Sequence, residues 1–324
     1  MKLKRPAMMA LLALGAALAA GCGAAAETYK VSHVLPKDGH LGVGAQAFAE
    51  EVTRKTHGRI KIVHDPSVLT GEQAIVENLQ IGAADFAYIS LLGKALPEST
   101  ITNLPFLFRD YAHARAVLDG PIGQELLDKF KSRGLVGLAW GENGFRNLTN
   151  NVRPIIGPED VRGLRIRVQP SEIQLLMVKA LGGEPKALPF NEVFSALQQG
   201  VVDAQENPIA LILSNGYAAV QKYLTLTRHI YTPMPLLASE EVWNTIAPAD
   251  QQIIREAARH SVEVNRAETD RLEKEGLAML EKAGMRVTPT IDRAAFEAAV
   301  APAYVEYARM FGQDVIDRIR NYKP

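Results

Sequence analysis

The chain has 324 residues, 47% apolar and 22% charged, which supports a large core and a two-domain length. Its 36 Lys plus Arg balance 36 Asp plus Glu, so the basic excess that nucleic-acid binding needs is missing. A lone cysteine, Cys22, excludes an intramolecular disulfide.

The N-terminus reads as a leader, residues 1–26, and not as part of the fold. Lys2, Lys4 and Arg5 form a positive start, and Met8 to Ala20 is an apolar run of 13 residues. That run is too short to span a bilayer and has the length of a signal-peptide core. Two processing sites compete: Ala24-Ala25-Ala26 before Glu27, and Ala19-Ala20-Gly21-Cys22, a lipoprotein-type box with alanine where leucine is usual. Removing residues 1–26 leaves 33 basic against 36 acidic residues, a net charge of −3. No later apolar segment is long enough to cross a membrane. The product is expected outside the cytoplasm, either free or tethered by lipid through Cys22.

Residues 28–34 predict a first strand, and 42–56 a helix with Ala45, Phe48, Ala49 and Val52 on one face. Strict alternation over 59–64 predicts a second strand. The turn Val68-Leu69-Thr70-Gly71-Glu72 opens a helix closed by Gly82, and 84–89 is a third strand. This β-α-β-α-β order is half of a doubly wound α/β domain. Helices at about 111–119 and 121–132 follow, then a buried-type strand over 135–140. Residues 144–150 predict a first crossing into a second domain.

The stretch 161–208 organises that domain as strand, helix, short strand, helix, strand. Arg165-Ile166-Arg167-Val168 alternates, and Gln169-Pro170 ends it. Ser171 caps a helix to Leu181, Asn191 caps another to Gln199, and Val201 to Ala204 is the last strand, left at Glu206-Asn207-Pro208. Residues 224–237 predict the return crossing. From 249 to 282 the apolar spacing is helical and long enough to lie across both domains. Residues 285–288 predict a short strand, and 293–321 a helix broken near Pro302.

Parallel strands of such units present ligand groups at their carboxyl ends. The residues there are Arg167 with Gln169, Pro189 with Phe190, and Gln205 to Asn207. Arg146, Arg167 and Asn207 are the candidates, because an arginine fork stays charged and grips a carboxylate with two parallel bonds. A surface ion pair is the plain alternative for any one of these arginines. Glu72 also fits a helix N-terminus, and Trp140 and Phe190 fit a core. Gly39, Gly42 and Gly44 lack the dinucleotide order G-x-G-x-x-G and read as a tight turn and helix start. The His33/His40 and His57/His64 spacings suit no zinc site, so no metal, cofactor or catalytic residue is expected. No G-x-S-x-G, Ser-x-x-Lys or H-E-x-x-H occurs.

Together these pieces resemble the solute-binding proteins of tripartite ATP-independent periplasmic (TRAP) transporters, the DctP family. The resemblance is carried by Ser32-His33-Val34, Leu69-Thr70-Gly71-Glu72, Leu104-Pro105-Phe106, Gly144-Phe145-Arg146, Gly163-Leu164-Arg165-Ile166-Arg167-Val168, Pro189-Phe190-Asn191-Glu192-Val193-Phe194 and Leu197 to Asp203 with Glu206-Asn207. It implies a two-lobed α/β periplasmic binding fold, each lobe a mixed or parallel sheet flanked by helices, with a long helix crossing both. Lobe I is expected over 27–143 plus 233–272, and lobe II over 144–232 plus 273–324. The resemblance puts the carboxylate clamp on Arg167, a supporting arginine on Arg146 and the asparagine of the E-N turn on Asn207. It brings His33, Glu72 and Gln73 to the cleft, with Gln169, Phe190 and Glu206 as further lining. Thr70 departs from the family, which most often has leucine directly before this glycine or one residue earlier.

The implied function is periplasmic capture of a small organic acid and delivery to a TRAP permease. A sugar acid such as a uronate ranks slightly ahead of a C4-dicarboxylate, because an acidic Glu72 accepts from hydroxyls and repels a second carboxylate. An exported hydrolase or lyase acting on acidic sugars is the alternative of a different class. Presentation of the ligand to a sensor kinase is a third.

Overall fold

The computed structural model describes residues 26–66 and 71–323. The leader call with Cys22, and Val68, Leu69 and Thr70 of the predicted turn, lie outside these residues. The strands are β1 (Glu27–Ser32), β2 (Ile60–His64), β3 (Phe86–Tyr88), β4 (Leu135–Asn150), β5 (Arg165–Val168), β6 (Glu184–Ala187), β7 (Ala204–Pro208), β8 (Tyr223–Ser239) and β9 (Arg286–Thr288). They form one mixed sheet ordered β2-β1-β3-β8-β4-β7-β5-β6, with β9 added to β8. β1 pairs in parallel with β2 and β3, and β5 with β6 and β7.

The sequence suggests one sheet per lobe. The structure joins them, because β4 and β8 are 16 and 17 residues long and run antiparallel through both halves. Residues 135–140 and 144–150 are thus one strand. Its register shifts between Glu142 and Gly144 and again between Arg146 and Leu148. Pro233 and Pro235 sit where β4 is the only strand partner of β8, between its pairings with β9 and β3. Such one-sided positions tolerate a missing donor.

Three apolar clusters fill the two lobes. The largest gathers Phe48, Phe86, Leu127, Trp140, Leu236 and Ile254. The second holds Ile166, Val168, Met177 and Val300, and the third Val193, Leu197, Leu224 and Leu280. Local pattern explains much of this. β2 buries alternate residues, and the helix His40–Lys55 buries Ala45, Phe48, Ala49 and Val52. Gly44 in that helix lets it approach the long helix Pro248–Lys282, since a Cβ there would lie 2.9 Å from Cβ of Asn265.

The long helix has 35 residues and spans about 52 Å at ~1.5 Å per residue. Ile254, Ala257 and Val262 pack in the first cluster and Leu280 in the third. At its middle, Asn265 accepts from Glu142 N at 2.7 Å and donates to the carbonyls of His40 and Glu142. The buried Glu142 carboxylate takes Arg115 at 2.7 Å and the Tyr231 hydroxyl at 2.8 Å, and Arg115 also reaches Asp270 at 2.7 Å. These contacts fasten β4, β8 and the long helix together where the lobes meet.

Two expectations are corrected. The C-terminal helix Arg293–Phe311 runs unbroken through Pro302, and the break comes at Gly312, whose φ is +86°. Phe296 and Val300 anchor one side of the proline in the second cluster, and Ala303 and Tyr307 the other side in the first. That two-sided packing outweighs one lost helical bond. Beyond the break, Ile316 and Ile319 lie in the first cluster, and Arg318 pairs with Glu125 at 2.7 Å. The last strand of the 161–208 unit is also displaced. It is Ala204–Pro208, so Glu206, Asn207 and Pro208 lie within the sheet opposite Leu148, Asn147 and Arg146.

Two predictions follow from this architecture. Gly144 has φ +111°, and a Cβ there would lie 2.9 Å from the Tyr111 hydroxyl that receives Phe145 N–H. Gly144→Ala should therefore lower unfolding free energy by about 1–3 kcal/mol in urea titrations. His33, His40 and His64 are buried neutral, and burial lowers them to about 3, 4 and 4. The unfolded chain binds these protons from about pH 6.5 downward while the native state does not. Stability should be full above that pH and fall steadily toward pH 4. His40→Gln should flatten the slope of the urea midpoint against pH in that window.

Candidate functional site

β7 lies between β4 and β5, which places Glu206 and Asn207 between two arginine-bearing strands. Gln205, Glu206 and Asn207 are all buried, an unusual burden for one short strand. It is tolerable because each group has a partner. The Glu206 carboxylate receives Nε and Nη2 of Arg146, the latter at 2.7 Å, and faces Nε2 of His229 at 3.2 Å. Asn207 Oδ1 accepts from Arg146 Nη2 at 2.9 Å. Gln205 donates to Thr149 Oγ1 at 2.8 Å, which donates to Gln221 at 2.8 Å. Burial pushes the Glu206 carboxyl up, but the Arg146 charge and the His229 bond outweigh it and hold it at about 2.

Arg167, on β5, is just as buried but has no such partner. Its Nε and Nη2 both donate to the carbonyl of Leu188, at 3.0 and 2.7 Å, and its Nη1 donates to nothing. Among the described residues no carboxylate forms an ion pair with it. Burial lowers its pKa to about 10; Glu206 and Glu72 act against that from a distance, and Arg146 adds to it. It remains a cation at neutral pH. An unpaired buried cation costs several kcal/mol, a cost that an incoming anion can offset.

Arg167 lines a cavity of about 230 Å³ with Glu72, Gln73, Leu91, Gln169 and Phe190. Glu72 is the first residue of the helix Glu72–Gln80 and accepts from the Ser90 backbone N–H and, at 2.8 Å, its hydroxyl. Burial raises its carboxyl pKa despite those bonds. The Ser90 hydroxyl in turn accepts from Gln169 Nε2 at 2.9 Å. Gln169 is held by Gln174, which takes its backbone N–H at 2.7 Å and donates back to its side chain at 3.0 Å. The chain Glu72–Ser90–Gln169 thus links the two halves of the molecule across the cavity.

The structure brings Arg167, Glu72, Gln73, Gln169 and Phe190 to one cavity. Gln73 is exposed there and bonds Glu77 at 3.2 Å. Arg146, Glu206 and Asn207 form a buried network beside it, in which Arg146 Nη1 also lacks a partner. His33 does not line the cavity. Its Nε2 lies 2.7 Å from Nε2 of His64, and its Nδ1 accepts from Leu35 N–H. Trp140 is core, donating to the carbonyl of Gly123 at 2.9 Å. Among the described residues no three His, Cys, Asp or Glu side chains converge on a metal-sized site.

Sequence reasoning missed Ser90, His229 and Tyr217, the last buried beside both arginines. For Ser90 a signal existed: it follows β3 at its carboxyl end, the criterion that selected Arg167. For His229 and Tyr217 no local pattern marks a partner on a distant strand.

The model of the DctP family, described as bacterial extracellular solute-binding protein, family 7, matches residues 31–310. A solute-binding protein of Verminephrobacter eiseniae is 41% identical over 301 residues, covering 92% of this chain and 90% of the relative. The structure of a TRAP periplasmic solute-binding protein from Polaromonas sp. JS666, bound to D-erythronate, aligns with a TM-score of 0.90 at 43% identity, covering 92% of this chain and 99% of that one. A TRAP periplasmic solute-binding protein from Bordetella bronchispeptica, with density interpreted as pantoate, aligns with a TM-score of 0.89 at 42% identity, covering 92% and 100%.

The two buried arginines should respond differently to substitution. Glu206→Gln strands Arg146 without its counter-charge and should cost about 3–5 kcal/mol of stability. Arg167→Met removes a cation that has no counter-charge and fills similar volume, so the ligand-free protein should unfold at an equal or higher urea midpoint. A loss in Arg167→Met as large as that in Glu206→Gln would make Arg167 a structural residue.

Proposed function

The chain belongs to the DctP family of bacterial extracellular solute-binding proteins, which are not enzymes, and from that premise we propose that it captures a hydroxylated monocarboxylic acid, a sugar acid, on Arg167 and delivers it to the membrane subunits of a TRAP permease. The observation that carries this reading is the buried guanidinium of Arg167, without a counter-charge, in a cavity that Glu72 also lines. A ligand carboxylate supplies the missing counter-charge, and the arginine fork orients it. Glu72 can only accept when ionised, so it favours hydroxyls on the remainder of the ligand and repels a second carboxylate. The ligands of the Polaromonas and Bordetella proteins support this ranking, because D-erythronate and pantoate are both hydroxylated monocarboxylates. Arg146, neutralised by Glu206 and steadied by Asn207, adds a second N–H donor without adding net charge.

In this reading the lobes close over the acid about β4 and β8, excluding water and strengthening the ion pair. The closed form then docks on the permease. The leader carries the chain to the periplasm. No helix among the described residues is long and apolar enough to cross a membrane.

A thermal-shift screen of residues 27–324 against aldonates, uronates and C4-dicarboxylates tests the ligand class. A ligand at 100 times its Kd should add about 2.7 kcal/mol of stability. Hits confined to sugar acids are expected, and hits confined to succinate-like acids would overturn the role given to Glu72. Arg167→Ala should abolish binding with the fold retained. Arg167→Lys should bind weakly, since a point charge does not replace a fork. Wild-type affinity in either variant would remove the clamp.

A further inference from the structure

The cleft does not end at the bond between Gln169 and Ser90. A second cavity of about 260 Å³ shares Leu91, Gln169 and Pro170 with the first, adds Ser90 and continues to Asn103. Asn103 closes the short 3-10 helix Pro97–Asn103 and is 3% exposed. Its side-chain oxygen is buried and accepts no hydrogen bond. Native proteins leave few such groups, and each costs about 1–3 kcal/mol, so an acceptor of this kind marks a place where a donor from outside the chain belongs.

The rest of the wall specifies the donor. The hydroxyl of Thr100 is already committed to the carbonyl of Pro97 at 2.6 Å. Among the described residues Glu172 is the only charged one lining the cavity, and neither lysine nor arginine does so. A second carboxylate would therefore meet a buried acceptor and a like charge, with nothing to neutralise it. A neutral hydroxyl can supply the donor that the enclosed Asn103 oxygen lacks. The cavity lies on the far side of Gln169 from Arg167, so a ligand anchored at Arg167 reaches it only with a chain that passes the Gln169–Ser90 bond. Hydroxyls along such a chain can exchange with that bond, since Ser90 and Gln169 both donate and accept.

We propose that this second cavity is the distal subsite of the cleft, in which Asn103 accepts a hydrogen bond from a tail hydroxyl of an acid held by its carboxylate at Arg167. The proposal rests on the reading of Arg167 as the carboxylate site and narrows the ligand to monocarboxylic acids with a polyol chain longer than four carbons. A four-carbon acid occupies the first cavity alone.

Calorimetric titration of residues 27–324 with erythronate, gluconate, galactonate and 6-deoxygluconate tests it. Six-carbon aldonates should bind more tightly than erythronate. Asn103→Leu, similar in shape and without the acceptor, should lose about tenfold for the six-carbon acids, or ~1.4 kcal/mol, and nothing for erythronate. In the wild-type protein 6-deoxygluconate should show the same tenfold loss, and this comparison decides the matter if Asn103→Leu fails to fold. An equal loss for acids of every length, or no loss for any, would make Asn103 a structural or water-binding residue and overturn the subsite. Binding of erythronate without any gain for longer acids would overturn the subsite while leaving Arg167 in place. Binding of no acid at all would remove the Arg167 reading and the subsite with it.

Discussion

Arg146 and Arg167 carry the same charge on strands two apart in one sheet, and both are buried. Only Arg146 has a carboxylate. The difference organises the site: the Arg146–Glu206 pair is a closed electrostatic unit that belongs to the fold, and Arg167 is an open one, bonded to a backbone carbonyl and otherwise unsatisfied. A folded protein that retains an unpaired buried guanidinium gives up stability in its ligand-free state. In the proposed function the bound acid restores that stability, so binding and the completion of the core become one event.

That arrangement depends on a scaffold that holds the two lobes in register. One sheet runs through both lobes on β4 and β8, so the connection is hydrogen-bonded strand and not loose linker. The register shifts beside Gly144 and Arg146 fall where these strands pass between the clusters. Irregularity there offers backbone freedom without loss of the ladder on either side. The Glu142–Arg115–Asp270 cluster and the Asn265 bonds fix the long helix to the same point. The Gln169–Ser90 bond is the polar link across the cavity, and it sits between the two volumes that a ligand would fill.

The legibility of the site in the sequence tracks how local the cause was. Arg167 stands out because it lies in an alternating strand ended by Gln-Pro, whereas Glu72 reads locally as a helix N-terminus and only the family resemblance brings it to the cleft. For Glu206 and Asn207 the sequence predicts a position just after their strand. Three consecutive polar residues do not look like buried strand, and only Arg146, His229 and Thr149 from other segments make that burial tolerable. The resemblance brings His33 to the cleft, yet His64 from the adjacent strand takes its ring nitrogen. Propensity penalises an internal proline, so the sequence predicts a break in the C-terminal helix near Pro302. Packing on both sides of it reversed that penalty.

Sequence alone determined most element types, the α/β class and the family, because these follow from periodicity, capping and short motifs encoded within a few residues. Tertiary structure decided which buried charges are neutralised, which side chains share a cavity and where a polar atom is left without a partner. Those properties depend on segments far apart in the chain meeting at distances near 3 Å, and no local pattern encodes that.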